Sequence, residues 1–209
     1  MKIAVIGAGN FGGAFAAAAV RAGHEVTVTA PHEDRAAKVA AEIGATAVAN
    51  DEAVARADVV ILAIPGTAVA GWAGEHAARL GAAVIVDATN PIAGDFSDLL
   101  TQGTSAAETL QERLPDAAVV KAFNTVFASR LGNPVQDGTP LDVFLAGDRE
   151  PAKATVSQLA RSLGFTPRDA GRLRMARGLE EMAFLHITLN ATNGWVWQSA
   201  WQLVGPTAA

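Results

Sequence analysis

The 209-residue sequence contains no cysteine. That single absence removes disulfides, thiolate metal sites and cysteine nucleophiles together. Also missing is any apolar run of the roughly 18 residues a membrane-crossing helix needs, so no membrane partner is expected. No basic run stands out, and the net charge of −5 argues against a nucleic-acid surface. The opening MKIAVIGAGN passes from a strand into a glycine loop without a cleavage region, which is not how a signal peptide reads. A cytoplasmic protein is the expectation. Charge is sparse as well, at 18% of residues against 50% hydrophobic. A chain of this length and composition has material for one sizeable core and a small appended subdomain.

What is present is rhythm. The first 90 residues repeat a short apolar run, a polar turn, an alanine-rich helical stretch and a glycine. The apolar runs are KIAVIG, EVTVTA, ATAVAN, DVVILAIP and AAVIVDAT, and the helical stretches stop at Gly23, Gly44 and Gly81. Glycine supplies the left-handed residue that ends a helix. Runs such as VVILAI and VIVDA do not alternate with polar residues, as expected of parallel strands buried under two helical layers. The pattern predicts an α/β fold of the Rossmann type, doubly wound around a mainly parallel sheet. After Asn90-Pro91 the rhythm breaks. Ser105 and Glu108 form a capping box for a helix to about Leu114. AAVVKAF and LDVFLAG read as strands, and a helix from about Glu150 ends at Gly164. The tail from Gly178 to Val204 reads as one long helix or two, carrying Trp195, Trp197 and Trp201. A small helical C-terminal subdomain on one compact unit is the expected organisation.

Gly7, Gly9 and Gly12 stand in G-x-G-x-x-G spacing, directly after the first strand and opening a helix. The first glycine permits the tight turn, the second lets backbone approach a pyrophosphate, and the third lets helix and strand pack closely. Free N–H groups at Asn10, Phe11 and Gly12, with the helix dipole behind them, suit phosphate charge. At the end of the second strand, where a carboxylate would bind both ribose hydroxyls, the chain reads Thr29-Ala30-Pro31. The repulsion that excludes a 2′-phosphate is therefore absent. Thr29, His32 and Arg35 offer a hydroxyl and two nitrogen donors at the start of the next helix, with Lys38 one turn on. Glu33 and Asp34 lie beyond Pro31, in the first helical turn, where acids complement the dipole. This favours NADP over NAD. The alternative for Arg35 and Lys38 is a solvated helix face.

Ligands in such folds lie across the carboxyl ends of the strands. Ile64 and Pro65 are placed to press on one face of a nicotinamide, and Asn90 and Asn124 to orient amide or carbonyl groups. Turn formation or helix capping explains each asparagine equally simply. His186, in MAFLHITLN, is read as a satisfied core residue rather than a catalytic one. No catalytic residue is assigned, because direct hydride transfer needs orientation more than acid–base help. The tryptophans suit either a ring-stacking platform or a core or dimer interface.

Taken together, GAGNFG, LAIP, DATNP, VVKAFNTV and AGRLRMARGLEEMA resemble the NADPH:coenzyme F420 oxidoreductases. The reductase domains of the six-transmembrane metalloreductases share much of this pattern. The resemblance covers nearly the whole chain in order. It implies an NADP-binding Rossmann domain over residues 1–135. Residues 136–209 would form a small subdomain completing the acceptor pocket and the interface of a homodimer. It also implies hydride transfer between NADPH and a small flavin-like acceptor: coenzyme F420, a flavin or a ferric chelate. On that resemblance Asn10 and Phe11 carry phosphate contacts, and Thr29, His32 and Arg35 hold the 2′-phosphate. Ile64 and Pro65 line the nicotinamide, and Asn124 faces the shared pocket. TAPH departs from the family's usual serine or arginine, and Gly171-Arg172 from its late glycine-proline.

Two other readings stay open on the sequence. Hydroxyacid dehydrogenases and pyrroline-carboxylate reductases begin similarly. The former use a lysine on a later helix, and beyond Lys121 only Lys153 remains, with no companion asparagine. A non-catalytic NADP(H)-binding redox sensor would carry the same nucleotide site.

Overall fold

Alternate residues of the first strand, β1 (Lys2–Ile6), feed opposite layers. Ile3 and Val5 join one hydrophobic cluster, while Ala4 and Ile6 join another. The same split holds for Val59 and Ile61 against Val60 and Leu62 in a later strand. Both faces of the sheet are thus covered, which is why these runs lack polar alternation.

The structure, a computed structural model, describes residues 1–205. Helix α1 (Asn10–Arg21) follows β1, and then come β2 (Glu25–Thr29), α2 (Glu33–Ile43), β3 (Thr46–Ala47), α3 (Asn50–Arg56) and β4 (Val59–Leu62). The second half runs α4 (Val69–His76), β5 (Val84–Asp87), α5 (Ala106–Arg113), β6 (Ala118–Ala122) and α6 (Ala128–Leu131). A small hairpin, β7 (Val135–Gln136) and β8 (Thr139–Pro140), leads to β9 (Asp142–Gly147), α7 (Glu150–Ser162), β10 (Thr166–Asp169) and α8 (Ala176–Asn193). The main sheet has eight strands in the order β10-β9-β6-β5-β4-β1-β2-β3. Among the described residues its only antiparallel neighbours are β6 and β9. The central order 3-2-1-4-5-6 is the Rossmann arrangement, and its switch point lies between β1 and β4.

Several local signals act as expected. Gly44 caps α2 in the left-handed conformation (φ 76°). Ser105 accepts a hydrogen bond from the Glu108 N–H and donates to its carboxylate, starting α5.

Two features differ from the sequence reading. Strands β9 and β10 do not stand apart with the C-terminal residues but extend the main sheet. The tail, read as one helix or two from Gly178 to Val204, is a helix only over Ala176–Asn193. Gly194 (φ 64°) ends it, and residues 195–204 run irregularly. Asn193-Gly194 is itself a helix stop, so Trp197 and Trp201 do not share a helical face.

Candidate functional site

The glycine loop is fixed by close backbone approach. Gly7 adopts φ 115° and donates its N–H to the Thr29 carbonyl. A Cβ on Gly7 would collide with the Ala63 carbonyl, and one on Gly12 with the Gly7 carbonyl. Gly9 is different. A Cβ there would meet nothing within 4 Å. The fold does not need glycine at position 9, so its bare backbone leaves room for something outside the chain. Gly9 stands just before α1, whose first N–H groups at Asn10, Phe11 and Gly12 have no intrahelical acceptor. Bare backbone and free donors at a helix N-terminus fit a dinucleotide pyrophosphate.

At the end of β2 the predicted residues separate. Thr29 is buried, and its Oγ1 is covered, with no hydrogen-bond partner. The hydroxyl therefore does not share the surface with His32, which is exposed at the N-cap of α2. Arg35 leans back over the loop, its Nε donating to the Ala8 carbonyl at 3.0 Å. One guanidinium thus spans α2 and the glycine loop. Lys38 is exposed one turn further along α2.

Beyond the loop lies a cleft of about 530 Å³. Asn10, Phe11, Ile64, Asn90 and Asn124 all line it, so five of the twelve predicted residues meet there. Pro65 does not. It is exposed and accepts the Ala68 N–H in the turn after β4. The two asparagines clamp each other: Asn90 Nδ2 donates to the Asn124 carbonyl (2.9 Å), and Asn124 Nδ2 to Asn90 Oδ1 (3.0 Å). Asn124 Nδ2 also reaches the Leu179 carbonyl at 2.8 Å, pinning α8 to the β6 loop. Asn124 Oδ1 and Thr125 Oγ1 are buried without partners. Like Thr29 Oγ1, these two oxygens are covered and present nothing at the cleft surface.

Phe123 sets this wall. It adopts φ 64°, a left-handed conformation costing a side-chain-bearing residue about 1–2 kcal/mol. Edge-on packing against Phe15 (5.1 Å) and Phe165 (6.4 Å) holds the buried ring. No sequence signal announces a left-handed phenylalanine.

The far wall is aromatic. Phe96, Phe127, His186 and Trp197 line it. The Phe127 ring lies 4.2 Å from His186 and 5.4 Å from Trp197. His186 is buried, with Nε2 2.8 Å from Ser199 Oγ, and Asn190 Nδ2 donates to the same oxygen. Burial lowers the His186 pKa, outweighing a bond to the Thr125 backbone. A neutral, bonded imidazole is the satisfied core residue expected, here forming part of the cleft surface.

A buried charge cluster behind the wall escaped sequence reasoning. Lys121 Nζ contacts Asp87 Oδ2 (2.9 Å) and Glu180 Oε1 (2.8 Å), all three side chains at most 1% exposed. Burial lowers the Lys121 pKa, but the two carboxylates and their hydrogen bonds outweigh it, so the net shift is upward. A signal existed: Asp87 and Lys121 are charges inside otherwise apolar runs, where an ion survives only when paired. Lys153, the one other late lysine, is engaged by Glu150 and Asp169 and is absent from the cleft lining.

Among the described residues no helix is long and apolar enough to cross a membrane. Residues 2–91 match the family described as NADP oxidoreductase, coenzyme F420-dependent. The F420-dependent NADP reductase of Methanothermobacter marburgensis is 32% identical over 92% of this chain and 94% of its own length. The metalloreductase STEAP3 of Rattus norvegicus is 33% identical over 86% of this chain, which spans only 36% of that protein. A crystal structure of a candidate F420-dependent NADP reductase from Arthrobacter sp. FB24 superposes with a TM-score of 0.86 and 29% identity. That match covers 98% of this chain and 100% of the other.

Proposed function

The chain belongs to the coenzyme F420-dependent NADP oxidoreductase family, and from that membership we propose that it moves a hydride between NADPH and a planar, flavin-like acceptor in the cleft. One observation carries the choice of acceptor. The cleft that Asn10 and Phe11 line is also lined by Phe96, Phe127 and Trp197, and no Asp, Glu, Lys or Arg is among its lining residues. A flat ring system gains from such faces, and hydride transfer needs the two rings held together rather than a proton relay.

The remaining roles follow from position. Gly7, Gly9, Asn10, Phe11 and Gly12 would hold the pyrophosphate. His32 and Arg35 would meet the 2′-phosphate, with Thr29 supporting the loop from beneath. Ile64 would shape the nicotinamide side from the turn that Pro65 holds, and Asn90, fixed by Asn124, would present its amide to it. NADPH would supply the hydride when bound; the chain would supply orientation and a sheltered contact. Residues 136–209 serve as the acceptor-side half even though β9 and β10 continue the sheet. Leu185, Trp195, Val196, Leu203 and Val204 are exposed apolar side chains of the kind a homodimer would cover. A cytoplasmic setting belongs to the same reading.

The test is NADPH oxidation against F420, FMN, riboflavin, ferric chelates and quinones. Turnover with F420 or a flavin, and NADPH preferred to NADH, is expected. Turnover with a ferric chelate alone would move the acceptor assignment toward metalloreductase chemistry. Tight NADPH binding with no turnover on any acceptor would instead make the chain a redox-sensing module.

A further inference from the structure

The buried cluster behind the cleft does not balance its charge. Lys121 donates to Asp87, to Glu180 and to the Thr89 carbonyl at 2.8 Å. The other partners of the two acids are donors too. Asp87 Oδ1 accepts the N–H and hydroxyl of Thr89. Glu180 accepts the Ala106 N–H at both oxygens and the Thr101 hydroxyl. Each of the four acid oxygens faces at least one N–H group that cannot itself accept: the Thr89 and Ala106 amides or the Lys121 ammonium. One ammonium and two carboxylates sum to −1. The N-terminus of α5, at Ala106, offsets part of that charge. The neighbouring Glu108–Arg177 pair is neutral in sum and alters it little.

The charge sits immediately behind the cleft. Thr89, which lines it, bonds Asp87 through its N–H and hydroxyl and Lys121 through its carbonyl. Leu179, next to Glu180, accepts a bond from cleft-lining Asn124. Resting on the reading of this cleft as the nicotinamide site, we propose that the net negative charge of Asp87, Lys121 and Glu180 favours the oxidised nicotinamide over the reduced one and so promotes hydride donation. The hydride leaves with two electrons and one proton. The nicotinamide goes from neutral to singly positive, and the flavin-like acceptor takes up the hydride and one solvent proton. A unit charge at about 10 Å in an effective dielectric near 20 changes an equilibrium constant about tenfold or more.

The experiment titrates NADPH and NADP+ separately into the full chain and into three variants. Glu180→Gln and Asp87→Asn are isosteric and bring the cluster to zero, and either one alone suffices as the test. The pair Lys121→Met with Glu180→Gln breaks the same contacts but keeps −1. Each neutralising variant should raise the ratio Kd(NADP+)/Kd(NADPH) at least about fivefold, while the charge-preserving pair leaves it within about twofold. A purely structural role would weaken both forms equally in all three, and an unchanged ratio overturns the proposal. A fourth variant, Val126→Trp, narrows the cleft. It should weaken NADP+ but not 2′-phospho-ADP-ribose, which lacks the nicotinamide. If it weakens neither, the cleft reading itself fails, and the proposal with it.

Discussion

The glycine loop and the cleft beyond it are built on opposite principles. The loop is main chain: Gly7 and Gly12 are fixed by backbone atoms that no side chain could approach as closely. The aromatic part of the cleft is made of side chains drawn from distant segments. Phe96, Phe127, His186 and Trp197 come from four different stretches and meet only in the folded chain. A surface made by backbone tolerates little change at its tight positions. A surface made by side chains can be redrawn residue by residue.

The comparison breaks most sharply at the glycines. Gly12→Val places a Cβ against the Gly7 carbonyl and should cost both the fold and the binding. Gly9→Val faces open space, so it should leave Tm within about 4 °C of the parent. It should nonetheless weaken NADPH by about 100-fold or more, because the branched side chain occupies the pyrophosphate's approach. Thermal melts alongside titrations separate the two effects. A Gly9→Val protein that binds normally would remove the phosphate loop from the site.

Arg35 is the next largest effect. Its Nε is committed to the Ala8 carbonyl, leaving the rest of the guanidinium for a phosphate. A hydrogen bond to a charged group is worth about 1.5–3 kcal/mol, so Arg35→Ala should cost NADPH roughly 10- to 100-fold. NADH, lacking the 2′-phosphate, should lose only what the slackened loop costs. Equal losses for the two would mean that Arg35 supports the loop and nothing more.

The same contrast explains what the sequence discloses. The doubly wound, mainly parallel sheet, the glycine loop and the clustering of Asn10, Phe11, Ile64, Asn90 and Asn124 follow from local spacing and from the rule that ligands cross the strand ends. Pro65 lies outside the cleft because a turn points successive residues in different directions, and of the two only Ile64 enters it. The tail helix stops at Asn193-Gly194, a plain stop that the helical spacing of the tryptophans beyond it does not override. Asp87, Lys121 and Glu180 are separated by 34 and 59 residues, and they meet because Glu180 on α8 reaches Lys121 on β6, beside Asp87 on β5. Local pattern cannot carry that information, although a charge in an apolar strand states that some partner must exist. The left-handed Phe123 lies deeper still, since only its packing against Phe15 and Phe165 compensates its backbone.

The smallest predicted effect belongs to the aromatic part of the cleft and follows from its one titratable ring. Burial holds the His186 pKa below its ordinary 6.5. Below that ordinary value the unfolded chain takes up a proton that the folded chain refuses, so stability falls as pH drops from about 6.5 toward the lowered folded pKa. Below the folded value both states are protonated and the loss stops growing. One group gives a slope of at most about 1.4 kcal/mol per pH unit. His24 is shifted in the same direction, again chiefly by burial, and adds a slope of its own. Urea unfolding at pH 7.5 and 5.5 should therefore show a pH loss in the parent that His186→Gln reduces but does not abolish. If the variant loses as much as the parent, the imidazole exchanges protons freely, and the aromatic part of the cleft is wetter than its burial implies.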